Sequence, residues 1–92
     1  MRLEWTDLAV VDLHAIQERI AIDSGARADR MIERLRAAAR RLLRFPNMGR
    51  PGKRVGTREF RVFGTNYFVV YRIVADRVQV LRVIHSRRNW PF

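Results

Sequence analysis

The hydrophobic period of this chain changes once, near Pro46, and that change constrains the fold more than any other feature. Before Pro46 apolar residues recur every three or four positions, as on a helix. Beyond a short loop they alternate or run together, as in strands. Ala9, Leu13, Ile16 and Ile20 make one stripe, with Thr6 placed to cap the helix and Asp7 to complement its dipole. Asp23-Ser24-Gly25 interrupts it. A longer stripe follows: Ala28, Met31, Leu35, Ala38, Leu42 and Phe45, widened by Ile32, Ala39 and Leu43. Arg30, Arg34, Arg41 and Arg44 form a ridge elsewhere on this cylinder and read as a solvated face. The short joint makes the two helices antiparallel neighbours, an αα-hairpin over about 6–45.

Residues 46–57 carry Pro46, Gly49, Pro51, Gly52 and Gly56 together with Arg50, Lys53 and Arg54, a basic loop of turn formers. The β-meander and basic tail occupy 58–92. Phe60–Phe63, Tyr67–Val74 and Val78–His85 are β-branched and aromatic and are separated by tight connections, which predicts three antiparallel strands. Leu3–Trp5 predicts a short strand at one edge. The expected fold is α+β, an N-terminal αα-hairpin packed on a small antiparallel β-sheet, in a single domain spanning 1–92. Alternation places Leu81, Val83 and His85 on one face of the last strand and Val78, Val80, Arg82 and Ile84 on the other. The hairpin covers one sheet face. The second is expected to be left for a partner, with Arg61, Arg72 and Arg82 on or near it.

Composition excludes several chemistries. There is no cysteine, so disulfides, cysteine-ligated zinc and thiol catalysis are out, and a cytoplasmic home is the simplest expectation. No apolar run approaches the ~20 residues of a membrane span, and Met1-Arg2-Leu3-Glu4-Trp5 lacks a signal-peptide layout. No metal constellation stands out, and Glu4, Asp7, Asp12 and Glu18 read as helix-start and surface acids. Gly49, Gly52 and Gly56 follow a helix rather than opening one, so they make no phosphate-cradling loop. No cofactor is implied.

Charge is the strongest functional signal. Residues 1–45 hold nine arginines and seven acids, whereas residues 46–92 hold nine arginines, one lysine and only two acids. The second half therefore expects an anionic partner. Candidate anion-binding residues are Arg58, Arg61, Arg82, Arg87 and Arg88, with Trp90 as an apolar anchor. The structural alternative is that Glu59 or an N-terminal acid pairs with Arg61 or Arg82, and that Trp90 and Phe92 fold back as a plug. His85, beside these arginines, is a candidate acid or base for RNA cleavage, with Arg61 and Arg82 as phosphate clamps. The bland reading is a strand-end histidine held by the backbone. A non-enzymatic nucleic-acid-binding module is a further alternative, weakened by the absence of a helix-turn-helix or an RNA-binding aromatic signature.

Four blocks in order carry a resemblance. They are Phe45-Pro46-Asn47-Met48-Gly49-Arg50-Pro51-Gly52, Gly56-Thr57-Arg58-Glu59-Phe60, Tyr67-Phe68-Val69-Val70-Tyr71-Arg72, and Leu81-Arg82-Val83-Ile84-His85 with Arg88-Asn89-Trp90-Pro91. Together they resemble the RelE/ParE superfamily of toxins from type II toxin–antitoxin systems, over essentially the whole chain. The resemblance implies a cytoplasmic toxin that associates with a cognate antitoxin, whose acidic and apolar segment wraps it in a hetero-oligomer. It also implies a role in plasmid stabilization and growth inhibition. RelE-like members cleave mRNA on the ribosome, whereas ParE-like members inhibit DNA gyrase. Phe68 stands where RelE-like members carry an arginine, and Trp90 stands near the position of their tail tyrosine. Gly56-Thr57-Arg58-Glu59 and His85-Ser86-Arg87-Arg88-Asn89-Trp90 look closer to the ParE-like branch. That branch implies a gyrase-binding toxin; the alternative is a ribosome-dependent endoribonuclease.

Overall fold

The computed structural model describes residues 1–88, so the expectations for Trp90 and Phe92 as plug or anchor lie outside the described residues. The elements are β1 (Arg2–Trp5), α1 (Asp7–Ala21), α2 (Gly25–Arg44), β2 (Arg50–Pro51), β3 (Arg58–Arg61), β4 (Tyr67–Val74) and β5 (Arg77–His85). Both helices start where a hydroxyl can satisfy a free backbone N–H. The Thr6 hydroxyl accepts from the Ala9 N–H at 3.2 Å and donates to the Leu81 carbonyl at 2.9 Å, so the cap also fastens α1 to β5. The Ser24 hydroxyl accepts from the Arg27 N–H at 3.2 Å.

The two helices pack on a five-stranded sheet of order β1-β5-β4-β3-β2. β1 runs parallel to β5, while the other pairs are antiparallel, so the sheet is mixed rather than wholly antiparallel. The helical hairpin supplies the long connection that parallel pairing needs. Leu13 and Ile16 of α1 and Leu35, Ala39 and Leu42 of α2 close over Val69, Tyr71, Val78, Val80 and Val83. The expected stripes are thus the core-facing ones, with one exception. Phe45 is 49% exposed, because α2 ends at Arg44 and the chain turns away at Pro46. Its ring lies 6.0 and 5.8 Å from the Arg41 and Arg44 guanidinium carbons.

Three further differences have local causes. First, the expected strand at Phe60–Phe63 sits earlier, at Arg58–Arg61, and Phe63 is an exposed turn residue. Second, β5 carries a bulge. Val70 pairs with Arg82 and Tyr71 with Val80, leaving Leu81 as the extra residue. The bulge resets the alternation, so Val78, Val80 and Val83 enter one core cluster instead of opposite faces. Third, the second sheet face is not left bare. Val70 and Ile84 are buried although they stand outside the main cluster.

The glycine- and proline-rich loop is pinned to the middle of the sheet. The buried Tyr71 hydroxyl donates to the Pro46 carbonyl at 2.6 Å and accepts from the Gly49 N–H at 2.9 Å. Burial pushes the Tyr71 phenol up, the Gly49 hydrogen bond and the Arg58 charge opposing it. A side chain at position 49 would collide with that phenol, its Cβ lying 2.7 Å from the hydroxyl oxygen. Within the loop, residues Arg50–Pro51 pair with β3 as an edge strand that periodicity did not reveal.

Candidate target-binding site at the end of the sheet

The basic end of the sheet is built by the β3–β4 turn and the end of β5. Gly64, at φ +78°, makes the turn that an L side chain would strain. Strand register then sets Tyr67 opposite His85 and Phe68 opposite both Arg61 and Ile84. The Tyr67 and His85 rings meet edge to face, with centroids 5.3 Å apart and an interplanar angle of 85°. From α1, the Arg19 guanidinium donates to the Tyr67 hydroxyl. Asp12, Arg19, Tyr67, His85 and Arg88 line a narrow cleft of about 100 Å³.

His85 is engaged on one side. The Arg87 N–H donates to its Nδ1 at 3.1 Å. Burial pushes its pKa below the ordinary 6.5, and the positive charges of Arg19, Arg87 and Arg61 push it further down. The shift favours the neutral ring at pH 7, and the Arg87 bond favours the tautomer with its proton on Nε2.

Phe68 stands where the resemblance to RelE-like members implies an arginine, and a phenyl ring cannot bond a phosphate. It gathers cations instead, with the Arg50 and Arg61 guanidinium carbons 5.6 and 5.7 Å from its ring centroid. Arg50 also reaches the buried Glu59 at 3.3 Å. Arg61 makes only long bonds, to the Thr65 carbonyl at 3.5 Å and to Asn66 Oδ1 at 3.3 Å. No carboxylate pairs with Arg61 among the described residues.

The arginines singled out in the sequence divide into two groups. Arg61, Arg87 and Arg88 gather around His85 at this end of the sheet. Arg58 does not join them, because it donates to the Gly49 carbonyl at 2.6 Å and secures the loop. Nor does Arg82, which binds Asp12 through Nε at 2.8 Å and Nη2 at 3.0 Å. This is the N-terminal acid pairing raised above as the structural alternative. The short hydrogen bonds and the attraction of Asp12 raise the Arg82 pKa against the cost of burial. Sequence reading missed Arg19 and Tyr67. Register pairing of β4 with β5 would have found Tyr67; Arg19 gives no local signal, since only helix packing brings it to the strand end.

Among the described residues, no group of three metal-ligating side chains comes together, and no helix is long and apolar enough to cross a membrane.

Residues 3–90 match the family profile described as the ParE toxin of the type II toxin–antitoxin system parDE. The chain is 36% identical over 90 residues to Y4kP of Sinorhizobium fredii, a protein whose name marks it as a candidate toxin. That match covers 98% of this chain and 93% of the relative. It is 33% identical over 84 residues to the protein named Toxin RelE2 of Caulobacter vibrioides, covering 91% of this chain and 93% of that one. Its fold is similar to a chain of a solved chromosomal ParDE system from P. aeruginosa, with a TM-score of 0.85 at 24% identity over 92% of this chain and 95% of the other. The chain belongs to the ParE toxin family of type II toxin–antitoxin systems.

Proposed function

We propose that this toxin acts in the cytoplasm by binding DNA gyrase and blocking it, not by cutting RNA, and that a cognate antitoxin holds it inactive in a hetero-oligomer. The observation that carries the reading is the state of His85. Its surroundings favour the neutral ring, with Nδ1 occupied by the Arg87 N–H, near a phenylalanine where the RelE-like pattern has an arginine. A binding toxin needs no acid–base group. It needs a fixed, charged contact surface, which Arg61, Arg87 and Arg88 supply around that imidazole, with Arg50 beside Arg61 on the Phe68 ring. An acidic antitoxin segment complements this end of the sheet. The exposed Leu8 and Val11 of α1 and Ile22 just past its end offer apolar contact to the same partner.

The test is a gyrase supercoiling assay run beside a translation reaction read by primer extension. Purified toxin is expected to inhibit supercoiling or accumulate cleavage complexes. R61Q/R87Q should weaken that effect at least tenfold, and H85A should leave it within about twofold. Ribosome-dependent mRNA cuts that vanish in H85A, with gyrase untouched, would overturn the reading in favour of an endoribonuclease. Co-expression with the neighbouring antitoxin gene should restore growth.

A further inference from the structure

We infer that the outer face of α2 is a second anion-binding surface, and that its occupant is the phosphate backbone of duplex DNA. Arg27, Arg30, Arg34, Arg41 and Arg44 recur at steps of three, four, seven and three along a continuous 20-residue helix. At ~100° per residue they share an arc of about 100°, and at ~1.5 Å per residue they span about 25 Å. All five are exposed. The acids nearest this ridge are engaged elsewhere. Glu33 pairs with Arg40 at 2.7 Å, and Asp29 accepts from Gln17 at 3.2 Å. Among the described residues, no carboxylate pairs with any of the five. Arg27, Arg30 and Arg34 line an open recess together with Met31, Ala37 and Glu33, the acid that pairs with Arg40.

Like charges in a row on one helix face repel, so the ridge costs the free protein some stability. An acidic protein is the poorer occupant. Protein interfaces place apolar and aromatic anchors at their centre and deplete it of charge, whereas this ridge is charged along its length, with Ala37 its one uncharged step and the exposed Phe45 ring only at its end, beside Arg41 and Arg44. A regular polyanion matches a straight row of guanidinium groups, and the contact follows the backbone without reading sequence. The surface lies on α2 and meets the strand-end site only at Arg34, whose guanidinium lies beside the Gly64 turn; the proposal does not depend on which target that site takes.

Overall charge alone would attract DNA, so the test has to separate place from charge. The full-length toxin is titrated onto a fluorescent duplex of arbitrary sequence at several salt concentrations. Wild type is expected to give a slope of log K against log salt of about −4 to −5, as five phosphate contacts require. R27Q/R30Q/R34Q should bring the slope to about −2 and weaken binding at least tenfold at low salt. R2Q/K53Q/R72Q removes the same three charges from other exposed positions and should change the slope by less than one unit. Equal losses in the two triple variants would overturn the proposal, leaving only diffuse attraction. Tighter binding of poly-glutamate than of duplex, abolished by the α2 triple alone, would also overturn it and assign the ridge to an acidic protein. Circular dichroism of each variant confirms that the helix persists.

Discussion

Arg82 and Asp12, seventy positions apart, form a two-pronged ion pair at the edge of the sheet, and the same carboxylate accepts the Val83 N–H at 2.9 Å. β1 covers the edge of β5 only as far as Val80. Beyond that point α1 takes over, and Asp12 supplies the acceptor that a strand would otherwise have provided. The pair is largely buried, with 15% and 12% of the two side chains exposed. It ties helix, strand and bulge together and removes Arg82 from the charge presented to a partner.

Asp12→Ala should therefore destabilise the fold by about 2–4 kcal/mol, because it removes the two-pronged carboxylate from a largely buried guanidinium and the acceptor of the Val83 N–H. Urea unfolding measures this. The double variant D12A/R82M should recover part of the loss, since no unpaired charge remains. A single-variant loss below about 0.5 kcal/mol would contradict the structural role.

Tyr71→Phe should cost about 1–3 kcal/mol by orphaning the Pro46 carbonyl and the Gly49 N–H. Gly49→Ala should cost at least as much, because its Cβ would also lie 3.1 Å from the Glu59 carbonyl oxygen, which is backbone and cannot swing aside. Both variants should speed proteolysis within 46–57. An unchanged cleavage pattern would show that the loop is held by something else.

Ala75→Gly should stabilise the protein. Ala75 turns β4 into β5 at φ +52°, in the left-handed region that costs a side-chain-bearing residue about 1 kcal/mol or more. Relief of that strain outweighs the added freedom of glycine in the unfolded chain. A rise in melting temperature of a few degrees is expected, and a fall would refute it.

Stability should also depend on His85 below neutral pH. Its folded pKa lies below the ordinary 6.5, so the unfolded chain takes up a proton first as pH falls. The stabilisation from the neutral ring is complete above about pH 6.5 and is lost on acidification through the lower folded value. Melting temperatures between pH 7.5 and 5 should fall more steeply for wild type than for His85→Phe, which keeps a ring against Tyr67. Parallel curves would show that the imidazole is not linked to folding.

Much of the architecture was legible from local pattern. The stripe of Ala9, Leu13 and Ile16, the longer one through Leu35 and Leu42, the Thr6 cap and the Tyr67–Val74 run each depend on neighbours within a few residues. Family membership was legible too, because the Pro46–Gly52 block and the strand motifs keep their order. Part of that first block now has a physical reason: the Pro46 carbonyl and the Gly49 N–H hold the Tyr71 hydroxyl. The site was only partly legible. Arg61, Arg87 and His85 were visible as basic residues near a strand end, while Arg82 looked like one of them until its partner was known.

By itself the sequence determined the period of each segment, the helix starts and the excess of positive charge, since these follow from residue type and short spacing. Tertiary structure alone decided that β1 runs parallel to β5, that Leu81 bulges out of register, that Asp12 neutralises Arg82 and that Arg19 reaches Tyr67. Each of those joins residues far apart in the chain. Their meeting is fixed by how a helical hairpin seats on a twisted sheet, and no local period records it.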